Sequence, residues 1–199
     1  MSPTQRDPEQ FSVLFVCTAN QCRSPMAEHL LRAQLTEPGL SWSVSSAGLQ
    51  AGAGQGMHPF AARVLESRGI DPGDWTSRRL EPQAVTEADL ILTATEAHRS
   101  AVARLSPGAM PRTFTLLHFA YLIRSSRAMA TVPVTDLGSS LIGQASSARG
   151  SLQPLAPESR DLADPMGRSF ARFRKCAATI DRALLDVLTE RPRGAQAPS

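Results

Sequence analysis

Residues 11–26, FSVLFVCTANQCRSPM, change character twice. Phe11–Val16 is a short apolar run rich in β-branched and aromatic residues, which predicts a buried strand. It leads directly into a polar, thiol-bearing turn, Cys17-Thr18-Ala19-Asn20-Gln21-Cys22-Arg23-Ser24. Pro25 then suits the first turn of a helix, where its missing N–H leaves no hydrogen bond unmade. Met26, Leu30, Leu31 and Leu35 recur at helical spacing, and Glu37-Pro38-Gly39 is a stop signal.

Working outward, strands and helices alternate. Trp42–Ser46 is expected as a second strand ending at Ala47-Gly48, followed by a glycine-bearing stretch and a helix from Pro59 to Arg68 closed by Gly69. Ala88–Thr93 is a third strand, with a helix from Glu96 to about Leu105 after it. Pro111–Thr115 is a shorter fourth strand, with a helix over Leu116–Ile123. Phe170, Phe173, Ala177, Ile180, Leu184 and Leu188 space out a long final helix. The alternation predicts an α/β fold, a three-layer αβα sandwich around a four-stranded parallel sheet, with a phosphate-binding loop after the first strand. Residues 11–190 are expected to form a single domain, with a flexible N-terminus at 1–10 and a flexible tail at 191–199. Residues 131–161, rich in Ser, Ala, Pro and Gly, are expected as a loop-rich insertion, with one short helix hinted by Leu137, Leu141, Ile142 and Ala145.

Composition narrows the function classes. Hydrophobic residues at 42% and charged residues at 20% are ordinary globular values. The net charge of +3 is mild, and no basic run interleaved with aromatics appears, so no nucleic-acid partner is expected. Met1–Gln10 lacks the apolar core of a signal peptide, and no apolar stretch is long enough for membrane insertion. Three cysteines, two of them five apart, do not form a secreted disulfide framework. Cytoplasm is the expected location; oligomeric state stays open.

In a parallel sheet, ligands sit beyond the carboxyl ends of the strands. The loop after the first strand turns successive backbone N–H groups toward a helix N-terminus, which suits an anion. Arg23 adds a planar fork of donors that matches two phosphate oxygens. The same positive surroundings favour Cys17 as the thiolate, the nucleophilic form. On spacing alone, a small buried hydrophobe at a strand end is the better reading of Cys17; the strand before it, the proline-started helix after it and the polar Thr18, Asn20, Gln21 and Ser24 at the turn reverse that.

Val13–Glu28, VLFVCTANQCRSPMAE, resembles the signature of the low-molecular-weight protein-tyrosine phosphatase family, and Ser46-Ala47-Gly48 resembles that family's turn after the second strand. The resemblance implies that Cys17 is the nucleophile and Arg23 binds phosphate. It implies that Asn20 and Ser24 shape the loop, with Ser24 donating to the thiolate and Ser46 buttressing Asn20. It places phosphate against the backbone N–H groups of Thr18, Ala19, Asn20, Gln21, Cys22 and Arg23. The family's general acid lies in an Asp-Pro pair, for which Asp164-Pro165 is the candidate; Asp161 and then Asp136 are fallbacks. Cys22 would form a reversible disulfide with Cys17 that guards against over-oxidation. Cys176 is expected in the core, and His29, His58, His98 and His118 show no metal-ligand spacing. No metal or cofactor is expected.

The chain also departs from the family. Met166-Gly167-Arg168 follows Asp-Pro where tyrosine-specific members carry tyrosines, and Leu49–Met57 offers no aromatic. Gln21 matches neither the apolar residue of tyrosine phosphatases nor the threonine of protein-arginine phosphatases, and Trp75 stands about where many members have a histidine. The expected activity is phosphomonoester hydrolysis through a phosphocysteine, with phosphotyrosine in proteins as substrate. Phosphoarginine and small phosphorylated metabolites are the alternatives. Thioredoxin-coupled arsenate reduction would need two further cysteines on a mobile segment, where this chain has only Cys176. A catalytically idle phosphate binder would be expected to lack Cys17, Arg23 or Asp164.

Overall fold

A computed structural model describes residues 10–36, 40–52, 54–126, 136–153 and 155–189. The stop signal at 37–39, the N-terminal segment before Gln10 and the tail lie outside the described residues. Four strands, β1 (Phe11–Cys17), β2 (Trp42–Gly48), β3 (Leu90–Thr93) and β4 (Thr113–Thr115), form one parallel sheet in the order β2-β1-β3-β4. The chain leaves β1 toward one edge and returns past it to the other. The carboxyl end of β1 therefore lies at the switch point where α/β sheets open a crevice for ligands.

Helices cover both faces of the sheet, so both faces of the central strand β1 are apolar. Val13, Phe15 and Cys17 face one core; Leu14 and Val16 face the other. The larger core lies under α1 (Arg23–Gln34), α2 (Pro59–Glu66), α5 (Leu116–Ser125), α6 (Leu137–Ser151) and α7 (Phe170–Thr189). The smaller one is closed by α3 (Pro82–Glu87), α4 (Glu96–Leu105) and a 3₁₀ turn over Pro107–Arg112. Helices on both faces of a four-stranded parallel sheet make the three-layer αβα arrangement expected from the sequence.

Three departures have physical causes. Residues 137–151 are a 15-residue helix, longer than the one short helix expected within a loop-rich insertion. Leu141, Ala145 and Ala148 are buried beside α5, and Gly138 lies so close to Phe11 that a Cβ would come within 2.5 Å of the ring. Pro111 falls inside the 3₁₀ turn, so β4 begins only at Thr113. α3 was not expected; it is six residues long and buries only Val85.

Candidate active site

β1 delivers Cys17 to the carboxyl edge of the sheet, and α1 starts six residues later at Arg23. Between them Asn20 takes φ 55°, a left-handed conformation that asparagine tolerates better than most residues. Its side chain then fastens the turn. Nδ2 donates to Ser24 Oγ at 3.0 Å and to Ser46 Oγ at 2.7 Å, and Oδ1 accepts the backbone N–H of Arg78 at 2.8 Å. The Asn20 carbonyl accepts from Trp75 Nε1 at 3.4 Å. Trp75 is itself held under the Arg78 guanidinium, which pairs with the fully buried Glu28 of α1 at 2.8 Å. The indole thus supplies a donor to the loop where a histidine was the expected one.

Cys17 Sγ lies 2.9 Å from Ser24 Oγ. Ser24 Oγ also accepts from Asn20 and donates to the Ala47 carbonyl at 3.5 Å. The backbone of the loop is pinned along its length. The carbonyls of Cys17 and Thr18 accept from Leu49 and Gln50 at 3.0 and 2.8 Å, and that of Gln21 accepts from His58 at 3.0 Å. Gly48, opposite Cys17 in the β1–β2 register, touches the loop so closely that a Cβ would stand 2.7 Å from both Asn20 N and Thr18 O. The Gln21 side chain donates to Gln55, and Ala19 contributes only backbone.

Arg23 is buried, and its guanidinium reaches Asp164 Oδ2 at 2.6 Å, Thr18 Oγ1 at 3.3 Å and the Leu162 carbonyl at 3.4 Å. Folding thereby joins residues 141 positions apart. Asp164 is half exposed and caps its own turn, accepting from Met166 N at 3.1 Å. The turn closes through Arg168 N to the Pro165 carbonyl at 2.9 Å, with Gly167 at φ 69° supplying the left-handed residue it requires. Asp161 is otherwise engaged: its Oδ1 accepts the backbone N–H of Glu96 at the start of α4, at 2.8 Å. Asp136 stands at the N-terminal end of α6.

His98, singled out in the sequence only as one of four histidines without metal-ligand spacing, reaches the loop. It is buried on α4, with Nε2 2.9 Å from Thr18 Oγ1 and Nδ1 2.6 Å from Thr95 Oγ1. Burial, and then the nearby Arg23, push its pKa down to about 4, so it is neutral near pH 7. Thr95 Oγ1 caps α4 by accepting the His98 N–H, and the imidazole bridges Thr95 and Thr18 through its two ring nitrogens. Thr18 Oγ1 also accepts from Arg23. The one available signal was Thr95 three residues before His98, an N-cap spacing that says nothing of Thr18.

The two loop thiols differ in kind. Cys22, at the N-cap position of α1, is buried, and burial followed by the proximity of Cys17 pushes its pKa up to about 12. It stays a thiol near pH 7. Cys176 lies in the core on α7, likewise pushed to about 12 by burial. All three cysteines are free. Among the described residues, no cluster of three or more His, Cys, Asp or Glu is placed to hold a metal ion, and no helix is long and apolar enough to cross a membrane.

Cys17 at the strand end, the buried Arg23 guanidinium and the pinned turn between them thus come together at the carboxyl edge of the sheet. Residues 12–133 match the family model of the low molecular weight phosphotyrosine protein phosphatases, and the chain belongs to that family. It is 37% identical over 109 residues to a protein-arginine-phosphatase of Geobacillus stearothermophilus, covering 55% of this chain and 71% of that protein. It is 33% identical over 108 residues to the probable low molecular weight protein-tyrosine-phosphatase AmsI of Erwinia amylovora, covering 54% and 72%. The crystal structure of a low molecular weight protein tyrosine phosphatase from T. tengcongensis superposes with a TM-score of 0.68 at 25% identity, over 90% of this chain and 99% of that one.

Proposed function

We propose that the chain is a phosphomonoester hydrolase that works through a phosphocysteine on Cys17 and acts on phosphotyrosine in proteins. The observation that carries this is the convergence of Cys17 Sγ on Ser24 Oγ at 2.9 Å with Arg23 and Asp164 paired at 2.6 Å beside it. An arriving phosphoryl dianion takes the backbone N–H groups of Thr18–Arg23 and competes with Asp164 for the guanidinium. Released from Arg23, Asp164 is left facing the leaving oxygen as the general acid.

The thiolate then attacks phosphorus in line, the P–O bond breaks, and the departing oxygen takes the proton from Asp164. In the second half Asp164 takes a proton from water, the water oxygen bonds to phosphorus, and the P–S bond breaks. Phosphate leaves and the thiolate is restored. Asn20, Ser46, Trp75 and Gly48 hold the loop; Thr18 is fixed by His98.

A second reading, phosphoarginine in proteins, is favoured by the mouth of the site. The residue after Asp164-Pro165 is the exposed Met166, which offers no aromatic wall for a phenol ring. The similarity to a protein-arginine-phosphatase points the same way.

Turnover of phosphotyrosine peptide, phosphoarginine peptide, an activated aryl phosphate and an alkyl phosphate by parent and Asp164→Asn protein tests both readings. Asp164→Asn should slow the poor leaving groups by about 10²–10⁴-fold, the usual worth of one general acid. The activated aryl phosphate should be slowed far less. Equal slowing of every ester would remove Asp164 from the role of acid.

A further inference from the structure

Asp164 does not stand at the edge of a flat surface. With Leu162 and Pro165 it forms one end of a groove of about 460 Å³ whose far wall is α7, carrying Arg172, Lys175 and Thr179, with Arg168 on the turn between. A second concavity continues the first through Leu117, Lys175 and Thr179 and adds Arg182. Positions 172, 175, 179 and 182 are three, four and three residues apart, so they lie along one face of the helix.

Arg168, Arg172, Lys175 and Arg182 are exposed, and none of them pairs with an acid among the described residues. The acids nearby are already taken. Asp161 holds the start of α4, Asp186 pairs with Arg124 at 2.9 Å, and Asp181 accepts from Gln34 at 2.7 Å. A line of unpaired cations thus leads away from the reacting centre, although the net charge of the whole chain is only +3.

We propose that this groove is a substrate subsite that takes an acidic segment flanking the phosphorylated residue of a protein. The proposal rests on the phosphatase reading above. From Arg172 to Arg182 the helix rises about 15 Å, which four or five extended residues cover at about 3.3 Å each. The segment is therefore Asp- or Glu-bearing within roughly the first half-dozen positions from the phosphoresidue. Its backbone lies over Leu117 and Leu162, and its carboxylates meet the α7 cations. An extended acidic peptide fits better than a duplex or a membrane plane, because the cations line a concave wall that begins at the catalytic acid.

The test compares phosphopeptides with three acidic residues on the N-terminal side, on the C-terminal side, or on neither, in phosphotyrosine and phosphoarginine forms. An activated aryl phosphate serves as the reference substrate. At low salt, kcat/KM for one of the acidic peptides should exceed the neutral one by about fivefold, the worth of two or three exposed charge pairs. The advantage should shrink as salt is raised. The double variant Arg172→Glu/Lys175→Glu should abolish or reverse the preference while aryl phosphate turnover stays within about twofold, since neither residue touches the reacting atoms. No preference on either side, or a preference the double variant leaves intact, would overturn the subsite. So would binding to anionic phospholipid vesicles, through the same two residues, without any peptide preference. If the parent protein fails to hydrolyse the aryl phosphate and every peptide, the phosphatase reading itself has failed, and the subsite with it.

Discussion

Adding one methyl group at Gly48 tests how closely the loop depends on its neighbour. A Cβ there would stand 2.7 Å from Asn20 N and Thr18 O and 2.9 Å from the Ala19 carbonyl carbon. All three are backbone atoms, so no side-chain rotation relieves the contact. Reaching ordinary van der Waals separation means opening 2.7 Å to about 3.4 Å, a shift of about 0.7 Å. β2 cannot retreat, because Gly48 N donates to the Arg78 carbonyl and Gly48 O accepts from Leu80, both at 2.9 Å. The loop must move, and it is the part whose N–H groups are proposed to bind the anion. A displacement approaching 1 Å at a reacting centre costs up to about 10²-fold in rate, so Gly48→Ala should lower kcat/KM by about 10–100-fold. Overpacking should also lower stability by about 1–3 kcal/mol. Steady-state kinetics, inhibition by inorganic phosphate and thermal melting read the three effects separately. The phosphate inhibition constant should rise with the loss of kcat/KM. A folded Gly48→Ala protein with phosphate affinity and kcat/KM within twofold of the parent would refute the dependence of the loop on that close approach.

Gly138→Ala is the matching control: its Cβ meets the Phe11 ring instead of the loop, so it should cost about 1–3 kcal/mol of stability and leave kcat intact. His98→Gln tests the neutral imidazole. The folded protein keeps His98 unprotonated down to about pH 4, whereas the unfolded chain takes up a proton near 6.5. Stability tied to His98 is thus complete above pH 6.5 and is lost as pH falls toward 4, by up to about 3 kcal/mol. Denaturant melts of the parent should decline more steeply across that window than those of His98→Gln; parallel declines would show that His98 does not titrate there. Cys17→Ser should abolish turnover, because a serine hydroxyl stays protonated near neutrality, while Cys22→Ser should retain it. Comparable losses in both variants would mean that the raised Cys22 thiol is part of the chemistry. After mild peroxide, thiol should restore the parent more fully than Cys22→Ser, and equal recovery would end the protective role of Cys22.

The site was legible in the sequence where chemistry and local structure coincide. Cys17, Arg23 and Asn20 lie within one strand-turn-helix unit, and the required residue types announce themselves there. The expectation for Asp164 rested on the family resemblance and its Asp-Pro pair, since nothing local to 164 points to Arg23. Trp75 and His98 were not assigned their roles, because each acts by reaching a backbone or hydroxyl oxygen across the fold, and no periodicity encodes such a contact. α6 was underestimated for a similar reason. Its Ser, Gly and Ala content reads as loop, and the helix is stabilised by burying Leu141, Ala145 and Ala148 against the rest of the chain. α3 was missed because one buried valine leaves no pattern to detect.

The 141-residue separation between Arg23 and Asp164 has a consequence for the timing of biosynthesis. At about 5–20 residues per second, the ribosome needs roughly 7–30 s to pass from one to the other. Throughout that interval Cys17 and Arg23 exist without Asp164, the proposed proton donor. The ties that order the turn arrive in instalments, Ser46 first, then Trp75 and Arg78, then His98, and Asp164 last. A newly made chain therefore gains activity in one late step, when the carboxyl-terminal helix docks. A pulse-labelled population should show full-length protein before it shows hydrolysis, with a delay set by that docking.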